Sequence, residues 1–324
     1  MKLVTFRVGD KDRLGVVQGE WAIDIGRLIG WLAKQPAPEE VQCQPLYRQA
    51  VATLLAAGPA PPDMIALLNR GDAWRQALGQ VLEALSSLRP GRAARGLVKP
   101  LKKARLRPPL PRPNKIVCLG RNYAAHARER GSEVPSHPLY FAKFNNTICG
   151  PGDPIMVPPN SSQVDYEAEM AVVIGQGGRR IPKEQAYEHV AGFMAANDVT
   201  ARDMQASDGQ WFRGKSCDTF TPIGPWLVTR DEFPNPHNLR ISLTLNGRTM
   251  QDSNTSRLIF KIPFLISYLS QSLTWETGDL LLTGTPAGIG AQQNPPVFLK
   301  AGDVVSVTVE GVGTLTNPVR GPGI

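Results

Sequence analysis

Several features that mark large classes of protein are missing from this sequence of 324 residues. No apolar run approaches the roughly 20 residues that a membrane-spanning helix needs. The nearest candidate, LIFKIPFLISYL, contains Lys261 and Pro263. The start, MKLVTFRVGDKDRLG, lacks the long apolar core of a signal peptide. We therefore expect a cytoplasmic protein that has no membrane partner.

Patterns that bind zinc or nucleotides are missing too. The four histidines show neither HxxxH nor HxH spacing, which argues against zinc. The segment GQGGRR is not a GxGxxG motif, and no phosphate loop is present, so nucleotide binding is unsupported. The cysteines have no CxxC spacing, and we expect free thiols at Cys43, Cys118, Cys149 and Cys217.

Positive charge is concentrated in one segment. Ten basic residues and no acidic residue lie between Arg89 and Lys115, so the net charge of +8 becomes −2 without this stretch. The stretch is rich in proline and has no aromatic residue that could stack on a base. It is more typical of a solvated connector than of an arm that binds DNA or RNA, and we expect no nucleic-acid partner.

The residues before this connector have their own pattern. MKLVTFRVG, RLGVVQG and EWAIDI are typical of three short strands with turns at Gly9–Asp12 and Gly19. LYRQAVATLLAAG, PPDMIALLNRG and AWRQALGQVLEALSSL have helical periodicity, and the first two end at Gly58 and Gly71. We predict a small N-terminal α/β accessory domain over residues 1–105, followed by a basic, proline-rich linker to about residue 115.

Short apolar strands separated by Gly, Pro, Asn and Asp turns fill the remainder, residues 116–324. Long helices are few, and the clearest surrounds KIPFLISYLSQSL, beginning near Pro263. The fold class that this predicts is mainly β with some α (α+β), with a C-terminal sandwich, roll or barrel.

One predicted strand, VDYEAEMAVVIG, carries a row of acids. Strand side chains alternate between faces, so Asp165, Glu167 and Glu169 lie on one side. Glu167 and Glu169, joined by Asp198 at the end of VAGFMAAND, would form the hard oxygen ligand set that Mg²⁺ or Mn²⁺ prefers. The alternative is a solvent-facing strand edge whose acids pair with Arg or Lys.

Two other segments contain candidate catalytic groups. GRNYAAHARERG predicts a short helix that begins near Asn122 and stops at Gly131, with His126 and Glu129 on one face. A His held by a carboxylate is a common general base, although an exposed helical pair is the alternative. In GDLLLTGTPAGIG, the turn at Gly284 and Thr285 offers N–H groups and a hydroxyl to a carboxylate, or is an ordinary Gly-Pro turn.

Six motifs occur in a characteristic order, namely GRNYAAH, YFAKF, DYEAEMAVVIG, NDVTARDMQ, FRGKSCDTFTPIGP and LTGTPAGIG. In this order they resemble the fumarylacetoacetate hydrolase superfamily, in its bacterial and acylpyruvase-like branch. The resemblance spans nearly all of residues 114–320 and implies that family's β-roll or sandwich catalytic domain. By position it implies one Mg²⁺ or Mn²⁺ held by Glu167, Glu169 and Asp198. It implies catalytic roles for His126, Glu129 and Lys215, and substrate contacts from Thr285, Gly284, Arg121, Lys143 and Gln205. Asp165 has no role in this scheme.

The resemblance also implies an activity. We expect a divalent-metal-dependent hydrolase that cleaves a C–C bond of a 2,4-dioxo acid, such as an acylpyruvate or fumarylpyruvate, through a metal-bound enolate. The same site would serve a 2-hydroxyhepta-2,4-diene-1,7-dioate isomerase or an oxaloacetate-type decarboxylase. A non-catalytic metal-binding scaffold is the alternative from another class. The expected partners are a small 2-oxo acid and a second copy of the chain in a homodimer.

Overall fold

The structure is a computed structural model that describes residues 1–34, 44–86 and 96–321. Cys43 and the first part of the basic segment between Arg89 and Lys115, residues 89–95, lie outside the described residues. The chain divides into two compact units, Met1–Leu106 and Arg107–Ile324. Strands and helices alternate irregularly in both, which confirms the α+β class. No helix among the described residues is both long and apolar enough to cross a bilayer.

The first unit combines an antiparallel sheet with helices. Its strands, in the order β4-β3-β2-β1 across the sheet, are β1 (Lys2–Val8), β2 (Lys11–Gln18), β3 (Trp21–Asp24) and β4 (Val98–Pro100). The helices are α1 (Ile25–Leu32), α2 (Pro45–Ala56), α3 (Met64–Leu68) and α4 (Gly71–Ser86). The predicted strands and helices are present. The sequence reading did not anticipate α1, which begins because the Asp24 side chain accepts a hydrogen bond from the Arg27 N–H.

The second unit is dominated by strands. The strand β5 (Arg105–Arg107) contains the boundary between the units. The strands that follow it are β6 (Ile116–Gly120), β7 (Leu139–Lys143), β8 (Ile148–Cys149), β9 (Ile155–Met156), β10 (Val164–Asp165), β11 (Ala168–Ile174), β12 (Val190–Asn197), β13 (Thr200–Ala201), β14 (Thr221–Thr229), β15 (Arg240–Leu245), β16 (Arg248–Asn254), β17 (Leu280–Leu282), β18 (Val304–Val309) and β19 (Gly313–Arg320). Its helices are α5 (Ala124–Glu129), α6 (Arg202–Ser207), α7 (Phe212–Lys215) and α8 (Ile262–Ser270).

Two sheets of this unit pack face to face. One has the order β14-β12-β11-β17-β6-β7, in which only the β17–β6 pair is parallel. The other has the order β16-β15-β18-β19-β9. Phe193 and Val172 of the first sheet share one buried core with Leu243 and Val307 of the second. Burial of these apolar faces stabilises the sandwich and places the ends of β11, β12 and β17 side by side.

The acidic segment departs from its prediction as a single strand. It is divided into β10 and β11, and residues 166–167 lie between them. The reason is that side chains satisfy the backbone there. The Glu167 N–H donates to Asn197 Oδ1 at 2.9 Å, and the Ala168 N–H donates to Gln251 Oε1 at 2.8 Å.

Candidate metal centre and active site

The register of β11 and β12 brings three carboxylates together. Ala168 pairs with Asn197, so Glu167 and Asp198 lie opposite each other, and the Asp198 N–H donates to the Glu167 carbonyl at 2.9 Å. Glu169 lies two residues further along the chain, within β11. One carboxylate oxygen from each lies within 4.8 Å of the others. All three are buried, so the solvent-facing alternative is wrong.

Glu169 shows that this cluster suits a cation. Its Oε2 accepts a hydrogen bond from the Gly284 N–H at 2.6 Å, whereas its Oε1 is buried and accepts none from the described residues. Burial, followed by the charges of Asp198 and Glu167, raises the pKa of Glu169 well above its ordinary value. A divalent ion would give the unpartnered oxygen a ligand bond and favour the charged carboxylate. The three residues therefore fit an ion of the Mg²⁺ or Mn²⁺ type.

Two lysines hold the cluster from its sides. Lys215 Nζ donates to Glu167 Oε2 at 2.9 Å and to Asp198 Oδ2 at 2.7 Å. Burial alone would lower the pKa of Lys215, but the charges of Asp198 and Glu167 outweigh it and raise the pKa. Lys143 Nζ donates to Asp198 Oδ1 and to the Phe220 carbonyl, each at 2.6 Å, and more weakly to the Val199 carbonyl at 3.3 Å.

This arrangement changes what is expected of Lys143. Its three protons are directed at protein acceptors, and it does not line the cavity beside the cluster. Its geometry is that of a residue that positions Asp198, whereas the sequence reading made it a substrate contact.

Asp165, which had no role in the sequence reading, organises the chain around the cluster. Its carboxylate accepts from the Gly290 N–H at 2.7 Å and the Ala291 N–H at 3.1 Å. It also accepts from Arg202 Nε at 2.8 Å, while Arg202 NH2 donates to Glu167 Oε1 at 2.6 Å. Burial would raise the pKa of Glu167, but the charges of Lys215 and Arg202 outweigh it and hold the pKa below its ordinary value. Two acids of the row, Asp165 and Glu167, are thus paired with basic side chains in the interior.

The predicted helix carries its two polar residues as expected. It spans Ala124–Glu129, and Gly131 follows with a φ of 63°. Nδ1 of the buried His126 lies 3.3 Å from Glu129 Oε2, and Glu129 Oε1 accepts from the Gly288 N–H at 2.8 Å. In the tautomer with the proton on Nδ1, Nε2 is left as an acceptor.

Asn122 does not begin this helix through a capping bond. The N-cap is Tyr123, and no side chain caps it. Instead, Asn122 accepts from the Phe260 N–H at 2.8 Å and donates to the Phe260 carbonyl at 3.1 Å and the Thr283 carbonyl at 2.8 Å. These bonds fix the segment before the helix to the end of β17.

The TGTP turn divides its groups between the protein and the cavity. The Gly284 N–H is committed to Glu169, so it holds a carboxylate of the cluster, whereas the sequence reading made Gly284 a substrate contact. Thr285 lines the cavity, and its Oγ1 accepts from Gln251 Nε2 at 2.9 Å. The hydroxyl proton of Thr285 is therefore free to donate to a ligand.

A cavity adjoins the cluster. It is lined by Leu119, Gly120, Arg121, His126, Arg130, Glu167, Arg202, Gln205, Trp211, Lys215 and Thr285. Six of the residues proposed from the sequence line this cavity, namely Arg121, His126, Glu167, Gln205, Lys215 and Thr285. Gln205 Oε1 also accepts from Arg202 NH1 at 3.2 Å. Four cationic side chains face a single lining carboxylate, which suits an anionic ligand.

The sequence reading missed four residues here, namely Arg130, Arg202, Trp211 and Gln251. Arg202 lies within the quoted motif NDVTARDMQ, where a basic residue shortly after Asp198 was an available signal. Arg130 stands one residue beyond Glu129. No local pattern marks Trp211 or Gln251.

A comparison with known protein families identifies the superfamily. The family described as the fumarylacetoacetate (FAA) hydrolase C-terminal domain matches residues 115–320, which is more than half of the chain. The chain belongs to the fumarylacetoacetate hydrolase superfamily.

The names of similar proteins specify different reactions. The chain is 45% identical over 260 residues, 80% of each chain, to the oxaloacetate tautomerase Fahd2a, mitochondrial, of Rattus norvegicus. It is similar to the structure of 2-hydroxyhepta-2,4-diene-1,7-dioate isomerase from Mycobacterium marinum, at 31% identity and a TM-score of 0.69 over 100% of both chains. It is also similar to maleylpyruvate hydrolase from Sphingobium sp. SYK-6, at 29% identity and a TM-score of 0.73 over 99% of this chain and 100% of that one. The chain is an enzyme of this superfamily, which sets aside the non-catalytic scaffold.

Proposed function

We propose that the enzyme catalyses keto–enol tautomerisation of oxaloacetate or a closely related 2-oxo dicarboxylate. The observation that carries the proposal is the placement of the His126–Glu129 pair on the same small cationic cavity as the three-carboxylate cluster. Tautomerisation needs a proton-transfer group at C3 and stabilisation of negative charge on the C2 oxygen, and it needs no other reactant. The relative at 45% identity is an oxaloacetate tautomerase.

Glu167, Glu169 and Asp198 would hold the divalent ion. When bound, such an ion acts as a Lewis acid that polarises a carbonyl oxygen. Thr285 supports the carboxylate of the 2-oxo acid end, because its hydroxyl proton is free while Gln251 fixes its oxygen. Lys215 donates two of its three protons to Glu167 and Asp198, so its third is available to the C2 oxygen.

His126 supplies the proton transfer. In the keto-to-enol direction, Nε2 takes a proton from C3, and the electron pair of the broken C–H bond forms the C2=C3 double bond. The former carbonyl pair moves to the C2 oxygen, which takes a proton from water, and the imidazolium returns its proton to water. Glu129 keeps Nδ1 protonated and stabilises the imidazolium, since its carboxylate lies 3.3 Å away.

Hydrolysis of an acylpyruvate is the second candidate. The same His126–Glu129 pair is suited to activate water, and a maleylpyruvate hydrolase shares the fold. Its C–C bond cleavage would use the same cation-lined cavity to stabilise the departing pyruvate enolate.

A substrate panel with Mg²⁺ separates the two. We expect the enzyme to accelerate the decay of the ultraviolet absorbance of enol-oxaloacetate well above the rate in buffer, and to release little pyruvate from an acylpyruvate. Rapid pyruvate release without faster enol decay would favour the hydrolase. No acceleration of either reaction would contradict both candidates.

A further inference from the structure

Two of the four cations that line the cavity have no ion-pair partner among the described residues. Arg202 and Lys215 are paired with the carboxylates of Asp165, Glu167 and Asp198. Arg121 and Arg130 make no side-chain hydrogen bond or ion pair with any described residue, and Arg121 Nε is buried without a partner. A buried or half-buried guanidinium that lacks a partner is costly, so an ordinary structural role does not explain either residue.

The surroundings hold both arginines at the cavity. Arg121 has a φ of 56°, a backbone region that residues with side chains seldom adopt, and its guanidinium lies 5.9 Å from the Trp211 ring centroid. Arg130 directly follows α5, and its N–H donates to the His126 carbonyl at 3.3 Å. Burial, then the positive charge of Arg202, lowers the pKa of Arg130. Mutual repulsion among these cations would be relieved by an anion between them.

We propose that Arg121 and Arg130 form a second anion subsite that binds the distal carboxylate of the substrate, so that the enzyme selects dicarboxylic over monocarboxylic 2-oxo acids. This rests on the proposed function for the position of the 2-oxo acid end. Lys215 and Thr285 take the 2-oxo acid end beside the cluster, and the two unpaired arginines remain for the other end. Guanidinium groups suit this task because they bind a carboxylate through two parallel hydrogen bonds.

The test compares two four-carbon ligands that differ only at the distal end. Oxaloacetate carries a carboxylate there, and 2-oxobutanoate carries a methyl group. Stopped-flow tryptophan fluorescence with Mg²⁺ present measures both dissociation constants quickly, and Trp211 in the cavity wall supplies a local reporter. We expect the wild type to bind oxaloacetate roughly 10- to 100-fold more tightly, the range of a charge-assisted hydrogen bond.

The variants assign this preference to the subsite. Arg130→Gln should remove most of the preference for oxaloacetate by weakening oxaloacetate binding, while the dissociation constant of 2-oxobutanoate stays within about twofold. Arg130→Lys should restore part of the preference because the positive charge returns. Arg128→Gln is the matched control, since Arg128 is an exposed residue of the same helix outside the cavity, and it should change neither constant. Arg121→Gln provides an independent arm should Arg130→Gln fold poorly.

The subsite would be overturned if Arg130→Gln weakened the binding of both ligands equally. It would also be overturned if the wild type bound the two ligands equally or bound neither. Because the dissociation constant is measured separately from the rate of tautomerisation, an enzyme that selects oxaloacetate through Arg130 but does not tautomerise it would refute the proposed function and leave the subsite standing. Tautomerisation that shows no dependence on Arg130 would refute the subsite and leave the proposed function standing.

Discussion

At the residue scale, Asp165 and Glu169 are buried carboxylates whose oxygens are used differently. Both oxygens of Asp165 accept hydrogen bonds from the backbone or from Arg202. One oxygen of Glu169 has no partner among the described residues. The first pattern is that of a residue that stabilises the fold, and the second is that of a metal ligand.

This difference predicts opposite outcomes for two isosteric variants. Glu169→Gln should abolish measurable Mn²⁺ binding without lowering the melting temperature in EDTA, because an amide can donate to the neighbouring carboxylates. Asp165→Asn should keep Mn²⁺ binding but destabilise the fold by about 3 kcal/mol, because it breaks a buried pair with Arg202. Calorimetric titration and thermal unfolding measure both. Equal loss of Mn²⁺ affinity in the two variants would show that the ligand set is wrong.

His126 is the residue on which the proposed chemistry depends. A positioned general base contributes roughly 10² to 10⁴ in rate, so His126→Ala should lower kcat for oxaloacetate tautomerisation by about that factor. Mn²⁺ affinity should stay unchanged, because His126 is not in the carboxylate cluster. Steady-state kinetics with titrated Mn²⁺ give both values.

The control for His126 is His137→Ala, which alters an exposed histidine outside the cavity and should leave kcat unchanged. Wild-type kcat in His126→Ala with metal bound would remove His126 from the mechanism.

At the element scale, the position of α5 depends on a residue just before it. Asn122 makes three hydrogen bonds to Phe260 and Thr283, so it fixes the entry to this helix at the end of β17. His126, four residues further on, is positioned through this attachment. The carboxylate cluster is positioned mainly by the pairing of β11 with β12 and by Lys215, while the Gly284 N–H holds Glu169.

Asn122→Ala should therefore separate catalysis from metal binding. The loss of three hydrogen bonds at about 1 kcal/mol each should destabilise the fold by roughly 3 kcal/mol. We expect kcat to fall while Mn²⁺ affinity is retained, as measured by kinetics and calorimetry. Asn254→Ala, which removes the single cap hydrogen bond to the Ser256 N–H, should leave kcat unchanged. A parallel loss of Mn²⁺ affinity in Asn122→Ala would show that the two parts of the site are not independent.

At the scale of the whole molecule, the excess charge lies in the segment from Arg89 to Lys115, which contains the strands β4 and β5. Ten charges on a proline-rich segment give non-specific attraction to phosphates, and this attraction weakens steeply with salt. We predict no specific DNA or RNA complex at physiological ionic strength. A fluorescence-anisotropy titration checks this, and a tight complex that resists salt would overturn the connector interpretation.

The homodimer expected from the family resemblance also stays a prediction. Light scattering at several protein concentrations should give twice the chain mass of 35.2 kDa. A strict monomer at every concentration would contradict it.

The sequence alone determined the local parts of this protein. Apolar runs between turn residues predicted short strands, helical periodicity predicted α2, α3 and α4, and ordered motifs indicated the superfamily, which the family match confirms. The carboxylates could be grouped beforehand because alternation along the predicted strand places Glu167 and Glu169 on one face and Asp198 ends an apolar run. His126 and Glu129 could be paired because three residues along a helix bring side chains together.

Only the tertiary structure decided which partner each polar group takes. The break between β10 and β11 depends on Gln251, whose Oε1 accepts a hydrogen bond from the Ala168 N–H, 83 residues away along the chain. Asp165 stabilises the fold because the Gly290 N–H, 125 residues away along the chain, donates a hydrogen bond to it. Lys143 points away from the cavity because the Phe220 carbonyl, 77 residues away, accepts a hydrogen bond from it. Local periodicity reports which face a side chain occupies. A buried polar group must be satisfied by whatever the fold brings beside it, and that depends on long-range packing that no local pattern contains.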